Sequence, residues 1–448
     1  MQNANSVSGH VGRFFVGLFG GTMDILDFIS ISFVAPFIAR EIYPSHSFAT
    51  SLLVTIAAFA ASALVRPIGG PIIGSVADRI GRKRGMYVSL AGLGIAEIVT
   101  GIIPTYAQAG LFSPFSLLAI RIIQGFFVAG LIASSYSIGV ESFPEKYRGF
   151  LTGLTGIGGS LAHFLGSTVF LISTLLFTGA SFATVGWRFM FIFLGVATFA
   201  VLAFTYFVSE STTFQLAQGK ESAKTPVRDL FSRENGMRRT TIVVMLTVMG
   251  GLGAAFVINT FPTYLAVAVH LNATTVASIV TLASLVGIAA NVLGGLFLHI
   301  FRTTRNLMRV YAILFVPLSV TLFYMAEPSL RTSYFDVFIL VSLWYVLGYV
   351  SNPSNNLYIQ ESYTTNMRVS GLGFQWNMGF FMSGLIPLVI TFLLVPYGIK
   401  SYPVIMTIAA ALVGILYIIG AFLSRETRGN IQTELERLQA ESLNEAQM

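Results

Sequence analysis

The sequence predicts an all-α integral membrane protein of twelve transmembrane helices in two six-helix bundles, with both termini cytoplasmic. Three observations carry that reading. Of 448 residues, 54% are apolar and only 10% charged, where a soluble domain carries about a quarter charged residues, so lipid must be the solvent for most of this surface. Twelve apolar runs reach the roughly 20 residues a helix needs to cross the hydrocarbon. The basic residues between them fall almost entirely on one side.

The first six runs lie at 14–40, 48–76, 86–105, 113–140, 149–177 and 187–208, and the second six at 240–268, 273–300, 308–326, 334–361, 370–395 and 401–423. The chain then divides into an N-terminal bundle (1–208), a cytoplasmic linker (209–239), a C-terminal bundle (240–423) and a cytoplasmic tail (424–448). The linker, which carries Lys220, Lys224, Arg228, Arg233, Arg238 and Arg239, reads as one or two surface-lying helices. The stretch Gly74 to Arg84, basic and glycine-flanked, reads as a cytoplasmic reversal between runs two and three. With cytoplasmic termini, Arg40, Arg188, Arg331 and Lys400 alone among the 26 Lys and Arg face outward, and Arg66 and Arg121 fall within spans. The inverted orientation would contradict the positive-inside rule.

The net charge of +7 sits in short clusters between apolar runs, so it reflects topology and implies no nucleic-acid partner. The first apolar run is too long for a cleavable signal peptide, so none is expected. The absence of cysteine excludes disulfides, thiolate catalysis and cysteine metal sites. No phosphate-binding Gly-x-x-x-x-Gly-Lys-Ser/Thr occurs, which argues against ATP-driven pumping. No metal-ligand spacing or nucleophile elbow appears, and the five histidines are scattered. An enzyme is therefore not expected, nor is a metal or a cofactor.

An internal repeat supports the six-plus-six division. Glu141-Ser142-Phe143 with Arg148 recurs as Glu361-Ser362-Tyr363 with Arg368, an offset of 220 residues that also brings Gly153 to Gly373, Gly74 to Gly294 and Arg82 to Arg302. Two parallel halves need the same turn chemistry at corresponding helix ends.

These motifs carry a resemblance. Gly74-x-x-x-Asp78-Arg79-x-Gly81-Arg82-Lys83, Arg121-Ile-Ile-Gln124-Gly125 and Glu426-Thr-Arg-Gly429 resemble signatures of the major facilitator superfamily. Within it the chain is most similar to the metabolite:proton symporters, with aromatic-acid and sugar porters next. Asp24-Ile-Leu-Asp27-Phe28, Arg66-Pro67-x-Gly69-Gly70 and Asn377 followed by Phe381, Gly384 and Pro387 carry that likeness. The chain departs from it with Ala129-Gly130-Leu131 in place of Gly-Gly-Glu, and with Asp24 in place of a glutamate. The resemblance implies two bundles around a central cavity lined by helices 1, 4, 7 and 10, and alternating access by rocking of the halves.

An ionisable group at bilayer depth needs a partner or a purpose. Asp24 and Asp27 lie three residues apart on helix 1, so two carboxylates share a face and can hold and release a proton; one structural ion pair is the plainer alternative. Arg121 on helix 4 is the natural counter-charge. Protonation of Asp27 would free its guanidinium for a solute carboxylate, whereas a static pair would merely fix helices 1 and 4. Arg66 is a candidate for an inward anion path, a gate or a snorkelling group. A structural hydrogen bond is expected of Glu97, and either a proton relay or a satisfied polar contact of His163.

Asp78, Arg79, Arg82 and the pairs Glu141 with Arg148 and Glu361 with Arg368 are expected to form a cytoplasmic gate, asymmetric because Leu298 and His299 stand where the first half has Asp78 and Arg79. The second half offers neutral recognition groups: Asn259, Thr260 and Tyr264 on helix 7, Tyr345, Tyr349 and Asn352 on helix 10, Gln375, Trp376 and Asn377 on helix 11. The expectation is a proton-coupled symporter in the cell membrane, driven by the proton gradient. It would import a small polar organic solute, a carboxylate or sugar acid, and work as a monomer with protons, solute and lipid as partners. An exporter of drugs or metabolites with the same fold, or a transporter-like nutrient sensor, are the alternatives.

Overall fold

The computed structural model describes residues 7–80, 82–131, 135, 145–178, 181–208, 228, 230–232, 237–331, 333–363, 365–430 and 433. Within these stretches, the side chains at 7–10, 13, 71, 74–80, 82, 145–148, 330, 331, 365, 366, 368 and 369 are not described. Among the described residues, 12 helices are long and apolar enough to cross a membrane. They are α1 (Phe14–Ile42), α2 (Phe48–Gly70), α3 (Lys83–Ile102), α4 (Phe112–Ala129), α5 (Gly149–Leu176), α6 (Phe182–Tyr206), α7 (Met237–Val267), α8 (Ala273–Phe301), α9 (Thr304–Tyr324), α10 (Tyr334–Glu361), α11 (Ser370–Tyr397) and α12 (Ile399–Leu423). Several begin earlier than hydropathy suggested, α6 at Phe182 and α9 at Thr304. Backbone hydrogen bonding, not apolarity, ends a helix, and long basic side chains can reach out of the hydrocarbon from its last turn.

Two of the most extensive helix pairings, α5 on α8 and α2 on α11, join the N-terminal six helices to the C-terminal six. Small residues permit that approach. A Cβ at Gly153 of α5 would stand 2.7 Å from the Cα of Gly295 on α8, so the backbones touch where side chains would hold them apart.

Helix α7 is not continuous. Its α-helical stretch Met237–Phe256 gives way to a 3₁₀ turn at Val257–Thr260 before resuming at Phe261–Val267. Pro262 is the physical cause, since its ring removes an N–H and crowds the carbonyl four residues back. The turn brings Asn259 and Thr260 to the centre of the molecule, where both line a cavity.

Candidate functional site: two buried ion pairs and a polar knot

The three-residue spacing on α1 turns Asp24 and Asp27 toward different neighbours. Arg66 of α2 donates from Nη1 to Asp24 Oδ1 at 2.7 Å, and Arg121 of α4 donates from Nη1 to Asp27 Oδ1 at 2.8 Å. All four side chains are fully buried. Asp24 and Asp27, expected to share a face with Arg121 as the counter-charge, thus form two separate pairs. Arg66 is a pairing residue within the core, not a snorkelling one.

Each arginine also rests on aromatic faces, which hold a cation without neutralising it. The Arg121 carbon Cζ lies 4.2 Å from the Phe59 ring centroid and 5.0 Å from that of Phe191, and Arg66 lies 4.1 Å from Phe380 of α11. Gln124, one turn beyond Arg121, accepts a further bond from its Nη1 at 2.9 Å. Among the described residues, Asp24 Oδ2, Asp27 Oδ2 and the Nε and Nη2 of both arginines have no hydrogen-bond partner. Each pair therefore has hydrogen-bonding capacity left over, a carboxylate oxygen and two donor nitrogens.

Glu97 makes the hydrogen bond expected of it, accepting from Thr198 Oγ1 of α6 at 2.8 Å. It also lies within electrostatic reach of Asp27 and Arg121, a third carboxylate near that pair. The aromatic seats Phe59, Phe191 and Phe380 also escaped the sequence reading, because a phenylalanine in an apolar run carries no local mark of its partner.

The cavity beside these pairs is lined by Phe28, Ser32, Phe59, Asn259, Thr263 and Thr391, among others, and its volume of about 30 Å³ is room for about two waters. Above it the halves are tied, since the Ser32 hydroxyl donates to the Asn259 carbonyl and Thr263 donates to the Ser32 carbonyl at 2.6 Å. A wider recess of about 420 Å³ lies beyond, lined by Arg40, Glu41 and His270. The centre is closed around its own polar groups.

Residues 17–387 match the profile of the Major Facilitator Superfamily. The chain belongs to this family of membrane transporters. It is 30% identical over 221 residues to the shikimate transporter of Escherichia coli, covering 48% of this chain and 50% of that one. It is 29% identical over 235 residues to an inner membrane metabolite transport protein of the same organism, covering 52% and 51%. The chain thus spans about half the length of the curated relatives it matches. Its fold superposes on a D-xylose–proton symporter with a TM-score of 0.70 at 16% identity, over 94% of this chain and 99% of the other. With its 12 apolar helices, the chain is a multi-pass membrane protein of a transporter family, as expected.

The neutral groups of the transporter's second half separate into two sets. Asn259 and Tyr349 converge on His163 of α5, as Asn259 Oδ1 lies 2.8 Å from Nε2 and the Tyr349 hydroxyl 2.6 Å from Nδ1. Asn259 Nδ2 also donates to Ser383 at 3.3 Å. Asn352 donates to Asn291 at 3.5 Å and accepts from Asn356 at 3.2 Å, extending a polar strip along α8 and α10. Tyr345 stands edge-on to His163, 5.5 Å away, with its hydroxyl buried. Thr260 donates to its own turn at Val257.

The others serve packing. Tyr264 donates to the Leu322 carbonyl on α9 and Gln375 bonds Tyr363 and the Thr241 carbonyl, so neither reaches the cavity lining. Trp376 packs edge-on to Phe380. Asn377 ties the halves, donating to the Ala129 carbonyl of α4 at 3.0 Å. These side chains were expected to face solute, and the rotation of α7 and α11 turns them into the helix interfaces.

Of the expected gate, Glu141 and the side chains of Asp78, Arg79, Arg82, Arg148 and Arg368 lie outside the described residues. Glu361 is described, and the tail docks on it: Arg428 Nη1 lies 3.6 Å from its carboxylate, the Gly429 N–H donates to it at 3.3 Å and Asn430 to its carbonyl at 3.0 Å. Glu426, two residues before Arg428, accepts from Thr303, Thr304 and Arg305 at the start of α9. The Glu426-Thr-Arg-Gly429 motif thereby fastens the ends of α9, α10 and α12 together.

Proposed function

We propose that this transporter is a proton-coupled symporter that imports a small polar organic solute, a carboxylate or sugar acid, by alternating access. The carrying observation is the Asp27–Arg121 pair at 2.8 Å, fully buried and with N–H groups of the arginine left over. An arginine stays charged at any working pH. When Asp27 takes a proton, Arg121 loses its counter-ion inside a low-dielectric core and requires another anion, which a solute carboxylate supplies in bidentate fashion. Proton and solute then favour the same conformational state, which is the thermodynamic content of coupling. Asp24 and Arg66 repeat the arrangement one step away, and Asn259, Tyr349 and Asn352 supply the neutral contacts that a hydroxylated solute takes. The relative named as a shikimate transporter agrees with a carboxylate solute.

Proteoliposomes with an imposed proton gradient test it, with labelled shikimate as the first probe and D-xylose and glycine betaine as comparisons. Accumulation by the wild type that is lost in Asp27→Asn supports the proposal. Undiminished accumulation in that variant, with unchanged pH dependence, defeats it.

A further inference from the structure

His163 is fully buried on α5 and its ring links the two halves. Its Nε2 faces the Asn259 side-chain oxygen at 2.8 Å, and its Nδ1 faces both the Gly159 carbonyl at 3.0 Å and the Tyr349 hydroxyl at 2.6 Å. An amide oxygen and a peptide carbonyl only accept. Both ring nitrogens therefore face acceptors. A neutral imidazole has one N–H and can serve one of them, whereas an imidazolium serves both. The Tyr349 hydroxyl donates to Nδ1 of the neutral ring and can rotate to accept once that nitrogen carries hydrogen. The surroundings are thus hydrogen-bonded for a second ring proton.

What they lack is a counter-charge. From α10 the ring meets Tyr345 and Tyr349, and from α7 Asn259. Helix α8 approaches this face of α5 through Thr281 and Asn291, and α1 through Ile25, Leu26 and Ile29. None of these groups is charged at working pH. The acids of α1, Asp24 and Asp27, are bonded to Arg66 and Arg121. A lone imidazolium at this depth is strongly disfavoured, and a nearby anion removes the penalty. Asn259 lines the small central cavity as well as holding the ring, so an anion that reaches the centre once the halves part and the cavity widens comes to rest beside it.

We propose that His163 is a second proton site, loaded only when an anionic solute occupies the adjoining cavity, so that proton and carboxylate enter the centre as a neutral pair. The inference rests on the reading of the solute as a carboxylate. The proton moves from water to Nδ1 and returns to water when the anion leaves, with no bond to carbon made or broken.

The experiment counts protons taken up by the purified transporter from weakly buffered solution, between about pH 6 and 8 where an imidazole titrates, on addition of saturating shikimate. Removing the ring in His163→Gln is expected to lower the count by about one per shikimate bound and to flatten the gain in affinity as the pH falls. Nitrogen-15 spectra of histidine-labelled wild type read the same event without a variant, as one ring passing from neutral to imidazolium during the titration. An unchanged count in His163→Gln, or rings that all stay neutral as shikimate saturates, overturns the proposal while leaving coupling through Asp27 intact. A wild type that binds no shikimate overturns the carboxylate reading and this inference with it.

Discussion

The Arg66 guanidinium on α2 lies 4.1 Å from the ring centroid of Phe380 on α11, so a charge neutralised by Asp24 in one half is seated on an aromatic face of the other. Phe256 stacks on the far side of the contact at 4.9 Å from Phe380. A rocking motion that parts α2 from α11 must break this seat. A desolvated cation–aromatic contact is worth about 2 kcal/mol, so Phe380→Leu is expected to shift the balance away from the closed state by about thirtyfold. Cross-linking yield between cysteines placed on α2 and α11 measures it cleanly, because the chain has no cysteine of its own.

The two ion pairs should behave as pairs and not as sums. Removing one partner of a buried pair costs about 3–5 kcal/mol, because the other charge is left uncompensated. Asp27→Asn and Arg121→Gln are each expected to lower the melting temperature of the purified protein markedly, and the double variant to lower it by less than the two combined. The cycle of Asp24→Asn with Arg66→Gln should show the same non-additivity. Additive losses in either cycle would mean that the pair in question contributes no mutual stabilisation.

Tail docking should be acid-labile. Burial pushes the Glu426 carboxyl upward, but bonds from Thr303, Thr304 and Arg428 outweigh it and hold it below its ordinary value of 4.5. A carboxylate whose folded value is depressed contributes stability that is present above the unfolded value and lost as the pH falls through the folded one. Hydrogen-exchange protection at Thr427, Arg428 and Gly429, relative to the intrinsic rate, is therefore expected to be high at neutral pH and to be lost only below about pH 4.5. Glu426→Gln should leave this protection low at every pH.

Enlarging Gly153 should wedge the halves apart. Its Cβ would meet the Gly295 backbone at 2.7 Å and the Asn291 carbonyl at 2.8 Å, and neither can withdraw as a side-chain tip would. Gly153→Val is expected to abolish the close approach of α5 and α8 and, with it, transport. A single cysteine placed at Ser160, which bonds Asn291 across this seam at 3.1 Å, should become reactive to a water-soluble thiol reagent in that background and stay protected without it.

Much of this transporter was legible in the chain as written. Twelve spans follow from hydropathy, which is a local property that no tertiary arrangement changes. The ionisable residues of the site stood out for the same reason, because a charge in an apolar run is visible without knowing its partner: Asp24, Asp27, Arg66, Glu97 and Arg121 are all buried and all but Glu97 are ion-paired. The pairing itself was not legible. Which acid meets which arginine depends on the rotation of α1, α2 and α4 about their axes, and that rotation is set by backbone contacts such as Gly125 against Ser62. The same holds for the neutral residues. Asn259, Tyr264 and Gln375 look alike in sequence, as polar groups on apolar helices. Only the packed bundle turns Asn259 onto His163 and the cavity and spends the other two on neighbouring helices, because a hydrogen bond at bilayer depth is made with whichever partner the helix packing brings within reach.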